Sequence, residues 1–342
     1  MISYYLPSGS KIGVGHQVDA LAKELVRRGH EVDVFSACPP VSGATYRHHH
    51  IELSGSLRTF RFAAQLRRVD FSRYDVLHAH GDDYWMWRHR AGAHVRTLHG
   101  SCFDEAIHIR GAVQRLRMFL LGCSEVLATV VADATVAVSP PTRRWTPWVS
   151  RVIPNGVDTS AFYPDDACLA RHPVVLFVGT WSGRKRGNLL ARTFVDGVLP
   201  RIPDAELWMV SDDIPSDHHP AVHALGRVGN DRLANLYRQA WVFCLPSSYE
   251  GFGIPYAEAM ASGLPVVATP NVGARYVTND GRAGVLVDPG ALGDELVRLL
   301  GDSHRRAQLT VEGLRRSHDF SLQTVVDDYE QLYLETMAGR LN

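Results

Sequence analysis

Residues 2–36 read ISYYLPSGSKIGVGHQVDALAKELVRRGHEVDVFS, and this opening decides the fold class. Ile2 to Leu6 is short and rich in β-formers, which predicts a strand. Gly9, Gly13 and Gly15 then break the chain. From Val18 to Arg28, apolar residues recur at Leu21, Leu25 and Val26, the spacing of one helical face. Gly29 stands where a left-handed residue closes a helix, and Glu31 to Ser36 returns as a second strand. Strand, helix and strand in this short span form a βαβ unit, which requires a parallel sheet covered by helices.

The same rhythm continues outward. Asp75–His78 and Val95–His99 read as strands that each end in histidine. Gly111–Val131 carries a helical apolar pattern, Ala134–Ser139 is another strand, and Arg151–Asp158 is a strand end followed by a turn. After a polar stretch holding Pro164, Asp165, Asp166 and Pro173, a second set begins at Val174–Gly179. It continues through Glu206–Val210, Trp241–Leu245 and Pro265–Ala268. Ser321–Gly339 reads as a terminal helix with Val325, Val326, Tyr329, Leu332 and Tyr333 on one side. The prediction is an α/β chain of two doubly wound domains: residues 1–160, residues 161–320, and a terminal segment 321–342. Open parallel sheets take ligands beyond the carboxyl ends of their strands, so the chemistry belongs to residues just after strands.

Composition agrees with a folded globular chain. The 342 residues are 45% hydrophobic and 21% charged, and no run reaches the ~18 apolar residues of a spanning helix. Nothing at the start reads as a signal peptide. The five scattered cysteines have neither metal nor redox spacing, which predicts reduced thiols and a cytoplasmic location. The zero net charge divides unevenly: residues 1–150 hold 18 Lys/Arg against 13 Asp/Glu, so the first half is basic. That balance suits anionic ligands or an anionic membrane face. No interleaving of aromatic and basic residues points to nucleic acid.

The most informative stretch is PSSYEGFGIPYAEAMASGLPVVAT, residues 246–269. It follows a strand and opens a helix near Pro255, a residue suited to a first helical turn. Gly251 and Gly253 permit close backbone approach, and amides at a helix start favour an anion such as phosphate. Glu250 falls in the loop and Glu258 about one turn into the helix, where carboxylates can accept from vicinal hydroxyls of a sugar or ribose. A second motif, GTWSGRKRG from Gly179, places Arg184, Lys185 and Arg186 after a strand, a cationic loop suited to a diphosphate.

The two glutamates eight apart, in S-x-x-E-G-F-G-x-P-x-x-E-A-M-A-x-G-x-P-V, resemble the signature of family 4 retaining glycosyltransferases of the GT-B fold. IPNGVDTSAFYP after residue 151, the DVLHAHG and TLHG strand ends, AVS at 137–139 and the terminal helix stand in the order of that family. The resemblance covers nearly the whole chain. It implies two Rossmann-like domains facing across a cleft, with the terminal helix crossing back to the first domain. It further implies transfer of a sugar from a nucleotide-diphosphate donor, UDP-sugar favoured and GDP-sugar as the alternative, to a hydroxyl acceptor. By the same resemblance Glu258 binds the donor ribose, Glu250 the donor sugar, and Lys185 with Arg184 the diphosphate. Gly251, Phe252 and Gly253 complete the donor loop, His99 lies by the donor sugar, and Gly15 lies near the phosphates. The catalytic set is thus His99, Glu250 and Lys185, with no metal or other cofactor. The family usually has an arginine directly after the strand glycine; here Thr180 stands there.

Other readings start from other residues. His78 and His80 with Asp82 and Asp83 have the types that ligate a divalent metal. Gly13-Val14-Gly15 looks like part of a dinucleotide fingerprint, but no ribose carboxylate follows it. A sugar-nucleotide epimerase or a non-catalytic sugar-nucleotide-binding subunit would keep a similar second domain. Arg110, Arg115 and Arg117 interrupt Val113, Leu116, Phe119 and Leu120. That pattern more often marks a surface helix with its apolar face in the core; the alternative is peripheral contact with the inner face of a membrane.

Overall fold

The computed structural model describes residues 1–9, 13–86, 92–109 and 111–341; Arg110 lies outside them. The chain forms two compact units, Met1–Gly156 with Leu322–Asn342, and Val157–Ser321.

In the first unit, α1 (Gly13–Arg27) leads into β1 (Asp33–Ser36) and β2 (Arg47–His50). There follow α2 (Arg58–Leu66), β3 (Val76–Ala79), β4 (Ala93–Leu98), α3 (Cys102–His108), α4 (Ala112–Val131), β5 (Ala134–Ala137) and β6 (Arg151–Val152). All pairings are parallel, β1 with β2 and then β3-β4-β5-β6. Ile2 joins the two groups by bridging Phe35 and Ala79. The strand predicted over Ile2–Leu6 is therefore cut to its first residues. Beyond Ser3 the backbone turns to side chains: Leu6 N donates to Cys38 Sγ at 3.3 Å and Ser36 Oγ donates to Tyr4 O at 3.3 Å. α1 starts at Gly13, earlier than the predicted Val18. A Cβ on Gly15 would stand 2.9 Å from the Leu6 backbone, so the bare glycine lets the first helical turn press onto the chain.

The second unit runs β7 (Val174–Val178), α5 (Gly187–Thr193), β8 (Glu206–Val210), β9 (Val222–Ala224), α6 (Asn230–Gln239) and β10 (Val242–Leu245). It continues with α7 (Ile254–Ala261), β11 (Val266–Ala268), α8 (Val272–Val277), β12 (Val285–Leu286), α9 (Leu292–Gly301) and α10 (Ser303–Ser317). The sheet order β9-β8-β7-β10-β11-β12 is parallel throughout. Counted from β7 this is 3-2-1-4-5-6, the doubly wound order, and the direction of winding reverses between β7 and β10. The first unit repeats the pattern with Ile2 in the central place, so its reversal falls between Ile2 and β3.

The last helix, α11 (Leu322–Leu341), belongs to the first unit. Its Leu322, Val325, Val326, Tyr329, Leu332 and Tyr333 share a core with Leu6, Val18, Leu21, Leu25 and Val95. Polar groups lock this packing. His78, fully buried in β3, meets Tyr333 Oη through Nδ1 at 2.7 Å and Thr97 Oγ1 through Nε2 at 2.8 Å. Thr97 Oγ1 also meets Tyr329 Oη at 2.8 Å. Arg28, just past the end of α1, donates to Glu330 and Asp327, each at 2.5 Å. Buried polar atoms are costly unless paired, so this network fixes the register of α11 on the sheet. Tyr333→Phe should leave the His78 Nδ1 unpaired and lower unfolding stability by about 1–3 kcal/mol in urea titrations. An unchanged midpoint would remove this network from the account of how α11 is held.

Candidate active site

The two loops at the winding reversal of the second unit bring together a buried carboxylate and two cations. After β7 the chain makes a short turn at Gly183–Lys185, and after β10 it runs through Pro246 to Gly253 before α7. Glu250 is 4% exposed. Its Oε1 accepts from Lys185 Nζ at 2.6 Å and from Ser247 Oγ at 2.6 Å, while Oε2 pairs with Arg184 Nη1 at 2.8 Å. Arg184 Nη1 also donates to Tyr249 O at 2.9 Å, and Ser248 N donates to Arg184 O at 2.8 Å. Thr180, in the place of the usual family arginine, folds its hydroxyl back onto Ser182 O at 2.8 Å.

Burial works to raise the Glu250 carboxyl, but Lys185 and Arg184 outweigh it and hold it below the usual carboxylate range. Burial also lowers the Lys185 ammonium, a drop that Glu250 opposes. Glu258, part-buried on α7, behaves differently. Burial raises it to about 7, and neither the Tyr237 hydroxyl, which donates to Oε2 at 3.0 Å, nor Lys185 brings it back down.

Glycines shape this loop. Gly253 has φ of 96°, and a Cβ there would run into the Tyr256 ring at 2.4 Å, so only glycine turns the chain into α7. Gly273, on α8, lies so close that a Cβ would stand 2.5 Å from Phe252 O and 2.6 Å from Glu250 O. Asn271 caps α8 by accepting from Ala274 N at 2.9 Å, and its Nδ2 donates to Ser247 O at 3.0 Å. Thr269 Oγ1 donates to the same carbonyl at 2.6 Å. The end of β11 and the start of α8 thus brace the Glu250 loop from below.

In the first unit the strand-end histidines meet. His80 Nδ1 lies 2.9 Å from His99 Nε2, and the His78 ring lies tilted against His80 at 4.0 Å between centroids. Burial lowers the His99 ring to about 4, with Arg96 adding to the drop and an Asn155 hydrogen bond opposing it. Burial likewise pushes His78 and His80 well below 6.5. All three are neutral imidazoles near pH 7, fit to orient a hydroxyl rather than to exchange protons. Gln17 of α1 clasps Gly156, donating to its carbonyl at 2.9 Å and accepting from its amide at 2.8 Å.

Each predicted site residue has a definite place. Arg184, Lys185, Glu250, Gly251, Gly253 and Glu258 gather at the strand ends of the second unit, whereas His99 and Gly15 belong to the first. Phe252 is in the same loop, but its ring is buried edge-on against Phe320 at 5.3 Å, so its side chain serves packing. The four residues of the metal reading are committed to other partners. His78 is held by Tyr333 and Thr97, His80 by His99, and Asp83 by Arg96 and by His94 at 3.0 Å. Asp82 is buried beside Tyr84 Oη at 3.3 Å, and burial raises it to about 7. Among the described residues no group of three or more His, Cys, Asp or Glu could hold a metal ion. Sequence reasoning passed over Tyr237, Gly273, Ser247 and Asn155. Only Asn271 had a readable signal, an N-cap residue three before Ala274.

Doubly wound units of this order, one with a carboxylate–cation loop at its winding reversal, define the architecture of a GT-B glycosyltransferase. The description Glycosyltransferase Family 4 matches residues 12–161, and Glycosyl transferases group 1 matches residues 172–302. The chain belongs to this family, the group 1 glycosyltransferases of family 4. It is 28% identical to a phosphatidyl-myo-inositol mannosyltransferase of Mycolicibacterium smegmatis, over 96% of this chain and 91% of that one. It is 26% identical to a D-inositol 3-phosphate glycosyltransferase of Corynebacterium diphtheriae, over 95% and 90%. Among solved structures, sucrose-phosphate synthase of Thermosynechococcus elongatus superposes with a TM-score of 0.83 at 23% identity, covering 99% and 98% of the two chains. Anabaena HepE with UDP and glucose gives 0.78 at 17% identity, covering 98% of each. The chain is therefore an enzyme that transfers sugars, which sets aside the epimerase and the non-catalytic subunit.

Gly273→Ala tests the brace under Glu250. The added methyl should force the loop off its cations, so that activity falls at least about tenfold, since misplacement by about 1 Å can cost that much or more. Kinetics beside a melting curve measure it, and wild-type kcat/KM would show that the brace does not set the Glu250 position.

Proposed function

We propose that this glycosyltransferase moves the sugar of a nucleoside diphosphate donor, UDP-sugar first and GDP-sugar second, to a hydroxyl acceptor with retention of configuration. In this reading the second unit holds the donor and the first unit the acceptor. The supporting observation is the buried Glu250 clamped by Lys185, Arg184 and Ser247. An ammonium has three donors, and only one of those on Lys185 is given to Glu250, which leaves two for phosphate oxygens. Glu250, kept ionised, fixes that ammonium in place and offers its remaining acceptor capacity to donor-sugar hydroxyls. Charges already in position before the diphosphate leaves are the most effective form of leaving-group stabilisation. Such built-in cations do the work a divalent metal does elsewhere, so the reaction is metal-independent.

Glu258 accepts from the ribose hydroxyls, and Tyr237 holds its far oxygen. Gly251 and Gly253 offer backbone amides near the start of α7, and Gly15 does so in the first turn of α1. His99, neutral and oriented by His80, positions a sugar hydroxyl. With no side-chain nucleophile in this set, displacement proceeds on the face the diphosphate leaves, which retains the anomeric configuration. Both named relatives bear inositol in their names, which favours a polyol hydroxyl, free or lipid-linked, as acceptor.

Nucleotide release from UDP- and GDP-sugars, with and without an inositol acceptor, tests this function, and NMR of the product reads the anomer. An inverted product would overturn the retaining reading. Activity should persist in excess chelator; its loss, with rescue by Mn²⁺ or Mg²⁺, would overturn the metal-free reading. Glu258→Ala should weaken donor binding by roughly 2–3 kcal/mol while the fold survives. Because free Glu258 sits at about 7 and the carboxylate is the binding form, donor binding should release a proton below pH 7. Affinity should then climb as pH rises toward 7 and level off above it. Calorimetry in buffers of different ionisation heat reads this proton, and a flat pH profile would separate Glu258 from the ribose.

A further inference from the structure

The sequence pattern of α4 allowed its apolar face to lie in the core, and the structure shows otherwise. Leu121 and Ala128 point inward, while Val113 (83% exposed), Leu116 (60%), Phe119 (52%), Leu120 (51%), Leu127 (64%) and Val130 (71%) face solvent. Val113, Leu116, Leu120, Leu127 and Val130 fall at i, i+3, i+7, i+14 and i+17, one stripe along a helix of about 30 Å. Phe119 widens it, and Phe119 meets Phe103 at 5.3 Å, which in turn meets the half-exposed Trp145 at 5.2 Å. Trp148, also exposed, donates its indole N–H to Thr129 on the same helix at 3.1 Å. Exposed apolar surface of this extent marks an interaction site.

Charge decides the occupant. α4 carries three charged residues. Glu125 is turned inward, accepting from Cys102 N and Sγ at 3.0 Å each, and burial raises its carboxyl. Arg115 and Arg117 are exposed, and Arg117 reaches Thr59 at 3.5 Å, beside the exposed Arg58 of α2. Two copies of this helix laid parallel would oppose arginine to arginine, and laid antiparallel would set the arginines of each against the uncharged end of the other, so neither arrangement brings an acid to them. An anionic lipid surface supplies the missing charge, accepts a stripe wider than one helical seam, and suits indoles at its boundary.

We propose that α4, with Trp145 and Trp148 beside it, docks the first unit onto an anionic membrane surface. None of these residues belongs to the donor site, so the inference stands apart from the proposed function, and it makes a lipid-linked acceptor directly accessible. No described helix is long and apolar enough to cross a membrane, so the docking is peripheral.

Co-sedimentation of the full chain with vesicles tests it. The protein should partition onto phosphatidylcholine vesicles containing phosphatidylglycerol, weakly onto phosphatidylcholine alone, and less at high salt. Arg115→Ser/Arg117→Ser should weaken partition about fivefold per arginine. Leu116→Asp/Leu120→Asp should weaken it at least about tenfold. Both pairs are solvent-exposed, so melting temperatures should stay at the wild-type value; if the aspartate pair unfolds, the arginine pair carries the test. Equal binding to both vesicle types, no binding to either, or wild-type partition by the arginine variant overturns the proposal. So does a concentration-dependent dimer in light scattering that Leu120→Asp abolishes, since a second copy would then be the occupant.

Discussion

A carboxylate removed from water must find fixed positive charge or give up its own, and Glu250 takes the first course. Its two oxygens are divided between Lys185, Arg184 and Ser247. That requirement sets much of the second unit. The loop after β7 must deliver two cations and the loop after β10 one anion, and adjacency of β7 and β10 at the winding reversal is what makes the meeting geometric. Gly253 provides the turn into α7, and Gly273 lets α8 come close enough to support the loop. Breaking one partner of such a pair leaves an uncompensated charge, so these residues act as a unit. Arg184 gives its Nη1 to Glu250 and to Tyr249 O.

Eight residues away, Glu258 meets a different environment and follows the second course. It has one hydroxyl partner and no adjacent guanidinium, so burial dominates and its proton is held up to about 7. Stability follows with a definite sign. A carboxyl raised from 4.5 to about 7 in the fold binds more protons folded than unfolded between those values, so its contribution declines as pH rises through that window. The two carboxylates of one motif are thereby differentiated, one held below the usual carboxylate range by its cations and one raised by burial.

In the first unit the corresponding constraint is a file of buried imidazoles. His78 is occupied at both nitrogens by Tyr333 and Thr97, which ties the sheet to α11, and His80 packs against it at a tilt while pairing with His99. The last helix of the chain therefore lies two side chains from the residue assigned to the donor sugar. α11 is part of the floor on which His80 and His99 stand, as much as a cover for the sheet. The same unit leaves α4 with an apolar outer face.

Local pattern carried a good deal of this protein. The βαβ rhythm follows from alternating strand and helix periodicity, and the strands over Val174, Glu206, Trp241 and Pro265 appear within a residue of their predicted starts. The glutamate motif and Lys185 could be named because their spacing and flanks are specific. Other elements had no local signal. β2 is Arg47–His50, a polar edge strand whose pairing with β1 comes from sheet position rather than from hydrophobic alternation. Tyr237 stands 21 residues from Glu258, and no spacing rule joins them. The helix of α4 was readable, but which stripe meets the core was not. Periodicity records that apolar residues recur, while burial depends on what the neighbouring elements bring to meet them. The sequence alone determined the elements, their order and the residue types of the site. The tertiary structure decided the partner of each charge and the face of each helix, because both depend on residues brought together from distant parts of the chain.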